Sequence, residues 1–473
     1  MTAEPFLKPG VAWLVLTAFS VLWVALGVWW GRRGAGDADE YLLAGRNVGL
    51  SLSTATLMAS WVTGNTTMTA PEAGYTLGVW GMIGYSLAGM GLVLFAPLAV
   101  RIKKLMPKSR TSGDFVRLRY GKMAWLVFLL ITIAYTLVFL ITQGMGAGLL
   151  LQALAGFDYR VGMVVVIGVA TAYTLFGGLR AVIGTDFMQS LLIMVLLVLV
   201  AVLGFSRFGT ADVYADLAAN HPSRLDLLLP AGLLFAWNTG LFSMGEVFHN
   251  NIWWSRVFAS RPSVVFPSFV MGGLAWVTVP LVTGSIALMA LAREFPIPQV
   301  NMVFPIVTAT LLGGGGALVV FVIIFASLTS TLDSLLAASA DLLAEDLYLH
   351  MLRPKASDQQ LRQAARIMVI LLGIATMVLS WSNFTSMLQL LLLTGPLVAS
   401  TIWPIAMGLF WSSASRNGAI AAMLAGSVAG LAAYWWIAPY CAALISAAVS
   451  AVIMGTWSTL APERFDWRRL AGQ

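Results

Sequence analysis

Charge is scarce in this chain. Asp, Glu, Lys and Arg make up only 10% of its 473 residues, too few to cover a soluble domain of this length. Cysteine is almost missing: Cys441 stands alone, which excludes an intramolecular disulfide. Histidine is limited to His221, His249 and His350, too scattered for a Cys/His metal cluster. No nucleophile–base pair stands out, which disfavours an enzyme. The Gly144–Gly148 and Gly313–Gly316 stretches lack the strand–turn–helix context of a nucleotide loop.

What fills the chain instead is apolar: 59% of residues, with a mean hydropathy of +0.87. Apolar runs of about 20 residues recur along it, each long enough to cross a hydrocarbon core of ~30 Å. The sequence predicts an all-α polytopic membrane protein with about thirteen transmembrane helices. The predicted spans are 11–31, 48–72, 79–100, 123–154, 161–179, 187–206, 228–254, 264–292, 302–343, 365–382, 385–411, 418–437 and 441–460. The first is too long for a signal-peptide core and lacks a basic flank, so it reads as a retained helix.

The net charge of +7 follows topology. With the N-terminus outside, only Lys8, Arg160, Arg207, Arg224 and Arg293 of the 27 Lys and Arg fall on the outer side. The tail, with Arg464, Arg468 and Arg469, then lies in the cytoplasm. This bias is the positive-inside rule in a cell (inner) membrane, with the lipid bilayer as the surroundings. No nucleic-acid partner is needed, and no obligate protein partner is evident.

Two spans read as discontinuous. The second contains Ala59-Ser60-Trp61-Val62-Thr63-Gly64-Asn65-Thr66-Thr67, and the seventh Trp237-Asn238-Thr239-Gly240 through Glu246. Small polar residues at matching places in two halves point to a transport site at the bilayer midplane. Close helix packing explains either segment alone equally well. Glu246, His249, Asp333 and Asp341 lie within spans, with Glu72 and Asp186 near span ends. Buried ionisable groups are costly there, so each is a functional candidate. The ninth span reads Ser327-Leu328-Thr329-Ser330-Thr331-Leu332-Asp333-Ser334. Hydroxyls and a carbonyl at this spacing suit a hard cation such as sodium, and interhelical hydrogen bonding accounts for them as well.

The chain resembles the sodium:solute symporter family. The resemblance rests on Asp39 to Arg46, Tyr173 to Ala181 with Thr185, Asp186 and Gln189, the Ser330-Thr331 pair with Glu345 to Tyr348, and Gly408 to Trp411. It implies the inverted five-plus-five repeat typified by LeuT. The leading helix and loop would be 1–47, the first repeat 48–206 and the second 228–411. Two trailing helices (418–460) and a cytoplasmic tail (461–473) would follow. It implies a main sodium site on the carbonyls of Ala59, Val62 and Ser327 and the hydroxyls of Ser330 and Thr331. Asp186, Asp333 and Ser334 fall where members place a second cation or a release site. Asp333 departs from the serine of those members, leaving open sodium, a proton or neither.

The run from His249 through Asn250, Asn251, Trp253 and Trp254 to Pro262, followed by Gly272 to Pro280, is similar to the urea active transporter subgroup. Asn250 and Asn251 depart from its acid-and-Gln pattern. Amides and indoles suit a planar amide, so Trp61, Asn65, Asn250, Asn251 and Trp254 are the expected solute contacts. Trp253 is equally well placed as an interfacial belt residue. Leu390 to Leu393 present no polar face to a sugar. Deep Lys and Arg are expected to be absent, leaving an organic anion without a partner. The expectation is a sodium-coupled symporter importing urea. The alternatives are a sodium/proline or other amino-acid symporter and a non-transporting sensor of the same fold.

Overall fold

The computed structural model describes residues 6–32 and 38–471; the side chains of Asn65 and Gly314 are outside the description. The described part is helical apart from an isolated bridge between Val48 and Ser260. Helix α1 (Pro9–Gly31) and the short α2 (Ala38–Leu43) lead into the first half. That half contains α3 (Leu50–Trp61), α4 (Ala70–Leu77), α5 (Val79–Ser86), α6 (Gly89–Leu105), α7 (Ser112–Tyr120), α8 (Lys122–Ala155) and α9 (Tyr159–Phe208). After α10 (Thr210–Asn220) the second half runs α11 (Pro230–His249), α12 (Asn251–Ala259), α13 (Val265–Ala292), α14 (Val303–Leu342), α15 (Asp358–Leu379), α16 (Met387–Ala399) and α17 (Ile402–Phe410). Helices α18 (Arg416–Trp436), α19 (Ala442–Leu460) and α20 (Arg468–Ala471) close the chain.

Ten helical segments among the described residues are long and apolar enough to cross a membrane. Helix α3 is too short and α11 too polar to join that set, and α9 enters it once. The expected loop between spans 161–179 and 187–206 is replaced by a single bend. Helix α9 has 50 residues, about 75 Å if straight at ~1.5 Å per residue, far more than one crossing. Gly178 interrupts it at φ 55°, ψ −153°. Helix α14 bends likewise at Gly313.

The second span breaks where the sequence predicts, at Val62 (φ −80°, ψ 84°). The seventh does not. Helix α11 runs unbroken through Asn238, Thr239 and Gly240, and the chain leaves the helix at Asn250 (φ −72°, ψ 131°). The polar residues upstream have another use: the Asn238 side-chain oxygen Oδ1 accepts from the Ala443 N–H at 2.8 Å, tying α11 to α19. The break lies at Asn250 because its side chain caps the next helix, accepting from the Ile252 N–H at 3.0 Å.

The first broken segment packs among α8, α9, α13 and α14; in the second, α11 packs on α5, α6 and α16, and α12 on α14 and α6. At one end of the helices, Asp39 accepts from Arg46 at 2.8 Å and Arg110 at 2.9 Å, and Arg110 reaches Glu345 at 3.3 Å. Partial burial pushes the Asp39 carboxyl up, but the two guanidiniums more than offset this and hold it below the usual range.

The bend at Gly178 is testable. A Cβ there would strike the Tyr41 carbonyl, and the φ is left-handed. We expect Gly178→Ala to destabilise the detergent-purified protein by about 1–3 kcal/mol, read as a lower melting temperature. Gly240→Ala, where nothing lies within 4 Å of the added carbon, should leave the melting temperature unchanged or raise it. Equal melting temperatures for the two variants would show that the bend is not required.

Candidate functional site: a cation cradle beside an aromatic cavity

Helix α3 ends at Trp61, and the chain resumes helical form only at the Asn65–Thr69 turn. Carbonyls freed by such a break need new partners because lipid offers none. The Trp61 carbonyl accepts from the Trp276 indole at 2.5 Å and the Thr66 hydroxyl at 3.1 Å. The Val62 carbonyl lies 3.4 Å from the Thr331 hydroxyl, which also donates to the Ser327 carbonyl at 3.0 Å. Val62, Ser327 and Thr331 therefore converge from α3 and α14. Ala59 is one step back, its carbonyl accepting from the Val62 N–H at 3.1 Å. Ser330 is beside them but turned away, donating to Asp186 at 2.5 Å.

Asp186, fully buried in α9, also accepts from Thr56 at 2.5 Å and Ser60 at 3.3 Å. Asp333 accepts from Tyr173 at 2.7 Å and from Thr185 at 3.4 Å. Its second oxygen has no hydrogen-bond partner among the described residues. Against these carboxylates stands Arg256, only 1% exposed, 3.6 Å from Asp186. The expectation that deep spans hold no arginine is thus corrected. Arg256 reads as a cytoplasmic-loop residue in the sequence, but the short α12 turns it inward beneath α3.

Beside the cradle is a narrow cavity of about 20 Å³, room for little more than a water molecule in this conformation. Trp61, Tyr85, Phe139, Phe242 and Trp276 wall it, Thr63, Thr66 and Thr239 line it, and Leu391 faces it. Trp61 and the leucine wall are where the sequence suggests. The other expected contacts are placed elsewhere. Asn250 caps α12 and donates to Glu246 at 2.9 Å. Asn251 accepts from the Ser112 N–H and donates to the Ala338 carbonyl, both at 2.9 Å. The Trp254 indole donates to the Phe248 carbonyl at 2.7 Å among Phe95, Phe115 and Phe258. The Asn65 side chain lies outside the described residues. Thus the slot expected of Trp61 with Asn250, Asn251 and Trp254 is not assembled in this conformation. Tyr85, Phe139 and Phe242 carry no motif; Trp276 sits in the Gly272–Pro280 segment already singled out.

Behind Trp61 a second indole is tied in place. Trp253 packs edge-on to Trp61 with ring centroids 5.2 Å apart. It is fully buried rather than part of an interfacial belt. Its indole donates to Glu246 at 2.6 Å, which also accepts from Tyr135 at 3.1 Å. His249 is paired with Thr132 at 2.9 Å.

Helices broken in mid-membrane, buried oxygens converging at the break and an adjoining closed cavity define an ion-coupled membrane carrier. Residues 41–426 match the sodium:solute symporter family, and the chain belongs to it. It is a transporter, not an enzyme. The chain is 27% identical to the urea-proton symporter DUR3 of Oryza sativa subsp. japonica, over 98% of its own length and 73% of the relative's. It is 27% identical to the urea active transporter of Saccharomyces cerevisiae, over 85% of this chain but only 58% of that protein. It is 28% identical to the high-affinity proline transporter PutP of Bacillus subtilis, over 83% of this chain and 85% of the relative. The fold matches the solved substrate-bound outward-open structure of a Na+-coupled sialic acid symporter. The TM-score is 0.80 at 17% identity, over 96% of this chain and 99% of that one.

The placement of Asn251 changes what its substitution should do. Asn251→Leu removes two buried partners, at about 1–3 kcal/mol per group left unpaired. We expect a lower melting temperature with the solute half-saturation concentration of the surviving protein within roughly threefold of wild type, a shift below about 0.7 kcal/mol. Normal stability with a large loss of solute affinity would return Asn251 to the solute site.

Proposed function

We propose that this chain imports a small neutral polar solute, urea first among candidates, together with sodium. The observation that carries this is the meeting of Val62, Ser327 and Thr331 oxygens at the helix break beside a small aromatic cavity. Sodium is a hard cation that takes oxygen ligands. Rotation of Ser330 away from Asp186 would add a further oxygen, and Ala59 completes the set. Solute would lie in the cavity, stacked against Trp61 and Trp276 and hydrogen-bonded by Thr63, Thr66 and Thr239. Asp186, with Asp333 and Ser334 behind it, supplies negative charge that favours cation entry and couples the cradle to release.

Urea is favoured by the similarity to two urea carriers and by the flat aromatic walls of the cavity, which has to widen to admit it. The similarity to a proline carrier supports proline as the second reading. We place the N-terminus outside a cell membrane and the tail in the cytoplasm, with repeats over 48–206 and 228–411. Energetically one sodium suffices. A potential of ~100 mV contributes about 2.3 kcal/mol per charge, and a roughly tenfold gradient adds about 1.4 kcal/mol. Together they support accumulation of a neutral solute by a few hundredfold.

Alternating access follows from the same parts. In the conformation described, Trp253 packs against the cavity-lining Trp61 and is tied to Glu246. Opening the Trp253 side of the cavity requires α12 to part from α3, separating the Trp61–Trp253 contact. Cation in the cradle holds α3 to α14, so its departure loosens the same segment that carries Trp61.

The double variant Ser330→Ala/Thr331→Ala should raise the sodium concentration for half-maximal uptake by roughly tenfold or more at normal membrane insertion. Unlabelled urea should block uptake of labelled urea, whereas proline and glucose should not. Unchanged sodium dependence would remove the cradle from the coupling mechanism. Competition by proline but not urea would replace the solute.

A further inference from the structure

Two arginines that the transport site does not use flank a second, larger cavity. It measures about 530 Å³ and lies where the end of α1, the start of α3 and the bend of α9 meet. Arg180 of α9 stands on one side and Arg261, just after α12, on another. Trp30 forms a flat wall, packed so closely on α9 that a Cβ at Gly184 would strike its ring. Asn47 to Gly49 and the first turn of α3 supply the remaining side. Gly49 faces open space, because a Cβ added there would meet nothing within 4 Å.

The charges do not cancel. Arg180 is paired with Glu40 through Nη1, but a guanidinium has five N–H donors and keeps others for a second partner. Arg261 is exposed and donates to the neutral Asn47 amide oxygen at 2.6 Å. Asp39, next to Glu40, is already taken by Arg46 and Arg110. Among the described residues, one guanidinium charge is therefore left over. Guanidiniums match the oxygen pairs of a phosphate group, and basic pockets between membrane helices suit anionic headgroups. The rest of the lining is apolar, with Leu50, Leu52 and Ile183. On α9, Phe187 and Leu191 follow Ile183 at four-residue intervals and are exposed. An apolar stripe thus leads from the cavity along the outer face of the helix. A soluble anion has no use for that stripe; an acyl chain does.

We propose that this cavity binds the phosphate of an anionic phospholipid, held by Arg180 and Arg261 with its acyl chain along α9. The site bridges two bodies. The Val48 N–H donates to the Ala259 carbonyl and the Arg261 N–H to the Val48 carbonyl, both at 3.0 Å. The Ser53 and Ser260 hydroxyls are 2.8 Å apart. The base of α3 is thereby fixed to the end of α12, the helix that carries Trp253. A headgroup between Arg261 and Arg180 joins that unit to α9 and stabilises the conformation described. The inference does not depend on which solute or cation is carried.

The test follows the melting temperature of the detergent-purified full-length protein as dioleoyl phosphatidylglycerol, dioleoyl phosphatidylcholine or inorganic phosphate is added. Phosphatidylglycerol should raise it saturably, as expected of a ligand that binds only the folded state. Phosphatidylcholine and inorganic phosphate should each need roughly tenfold higher concentration or more. Gly49→Asp puts a carboxylate into the open space, at an extended backbone position (φ −85°, ψ 174°) that any residue adopts and that now lacks a side-chain cap for α3. Aspartate caps helices well, so the variant should melt no lower than wild type without lipid. It should nonetheless need about tenfold more phosphatidylglycerol or more for the same shift. Arg261→Gln should weaken phosphatidylglycerol in the same direction. Equal shifts with phosphatidylglycerol and phosphatidylcholine in wild type would overturn the headgroup site without any variant. Inorganic phosphate acting at the same concentration as phosphatidylglycerol would overturn the lipid and leave a soluble anion in its place. Unchanged phosphatidylglycerol dependence in Gly49→Asp and Arg261→Gln would overturn the location.

Discussion

A carbonyl that leaves a helix inside a membrane has to find another partner, and this structure depends on how that need is met at Val62. Lipid offers no hydrogen bond, so an unwound turn persists only where protein, water or an ion replaces the lost donors. The Trp61 carbonyl is met by Trp276 and Thr66. The Val62 carbonyl is met more loosely, by Thr331 at 3.4 Å. A long contact of this kind leaves the oxygen available to a cation. Trp61 extends from the same turn into the cavity wall, so the proposed cation and solute positions share one short piece of backbone. On that proposal, the shared turn is the physical basis for coupling them.

The buried charges form a second tier behind the cradle. Ser330 faces Asp186 in this conformation. Asp186 in turn meets Arg256 of α12, the helix whose Trp253 packs on Trp61. Contiguous contacts of α14, α9 and α12 thus run from the proposed cradle to the cavity-lining Trp61. Glu246, Trp253 and Tyr135 are strongly paired behind that indole. On the proposed mechanism, parting α12 from α3 moves Trp253 off Trp61.

Much of this was legible in the residues. Scarce charge and recurring apolar runs define the membrane class, and glycine with small polar residues locates the break at Val62. The Ser-Thr cluster of α14 does lie against the break, with Thr331 beside the Val62 carbonyl. Other parts could not be read, for identifiable reasons. Asn238 and Gly240 resemble a break, but Asn238 is spent on a bond between helices, and the break comes at Asn250, where an amide caps α12. Arg256 follows the last apolar turn of its span and fits a topological marker; only the inward turn of α12 reveals it as buried. Asn251 and Trp254 carry the chemistry of a solute site but satisfy backbone groups instead. Periodicity reports which residue types lie together along the chain, not which of their hydrogen bonds are already taken.

The most direct test of the account is uptake into proteoliposomes under an imposed gradient. Labelled urea, proline and sialate are each offered with sodium high outside and low inside, then with sodium equal on both sides, then with a proton gradient alone. The account predicts transient accumulation of urea above equilibrium only when the sodium gradient is present, with its extent rising as the interior is made more negative. Accumulation driven by protons with sodium absent would contradict sodium coupling. Mere equilibration of urea under every gradient, or no uptake of any solute, would contradict the symport mechanism.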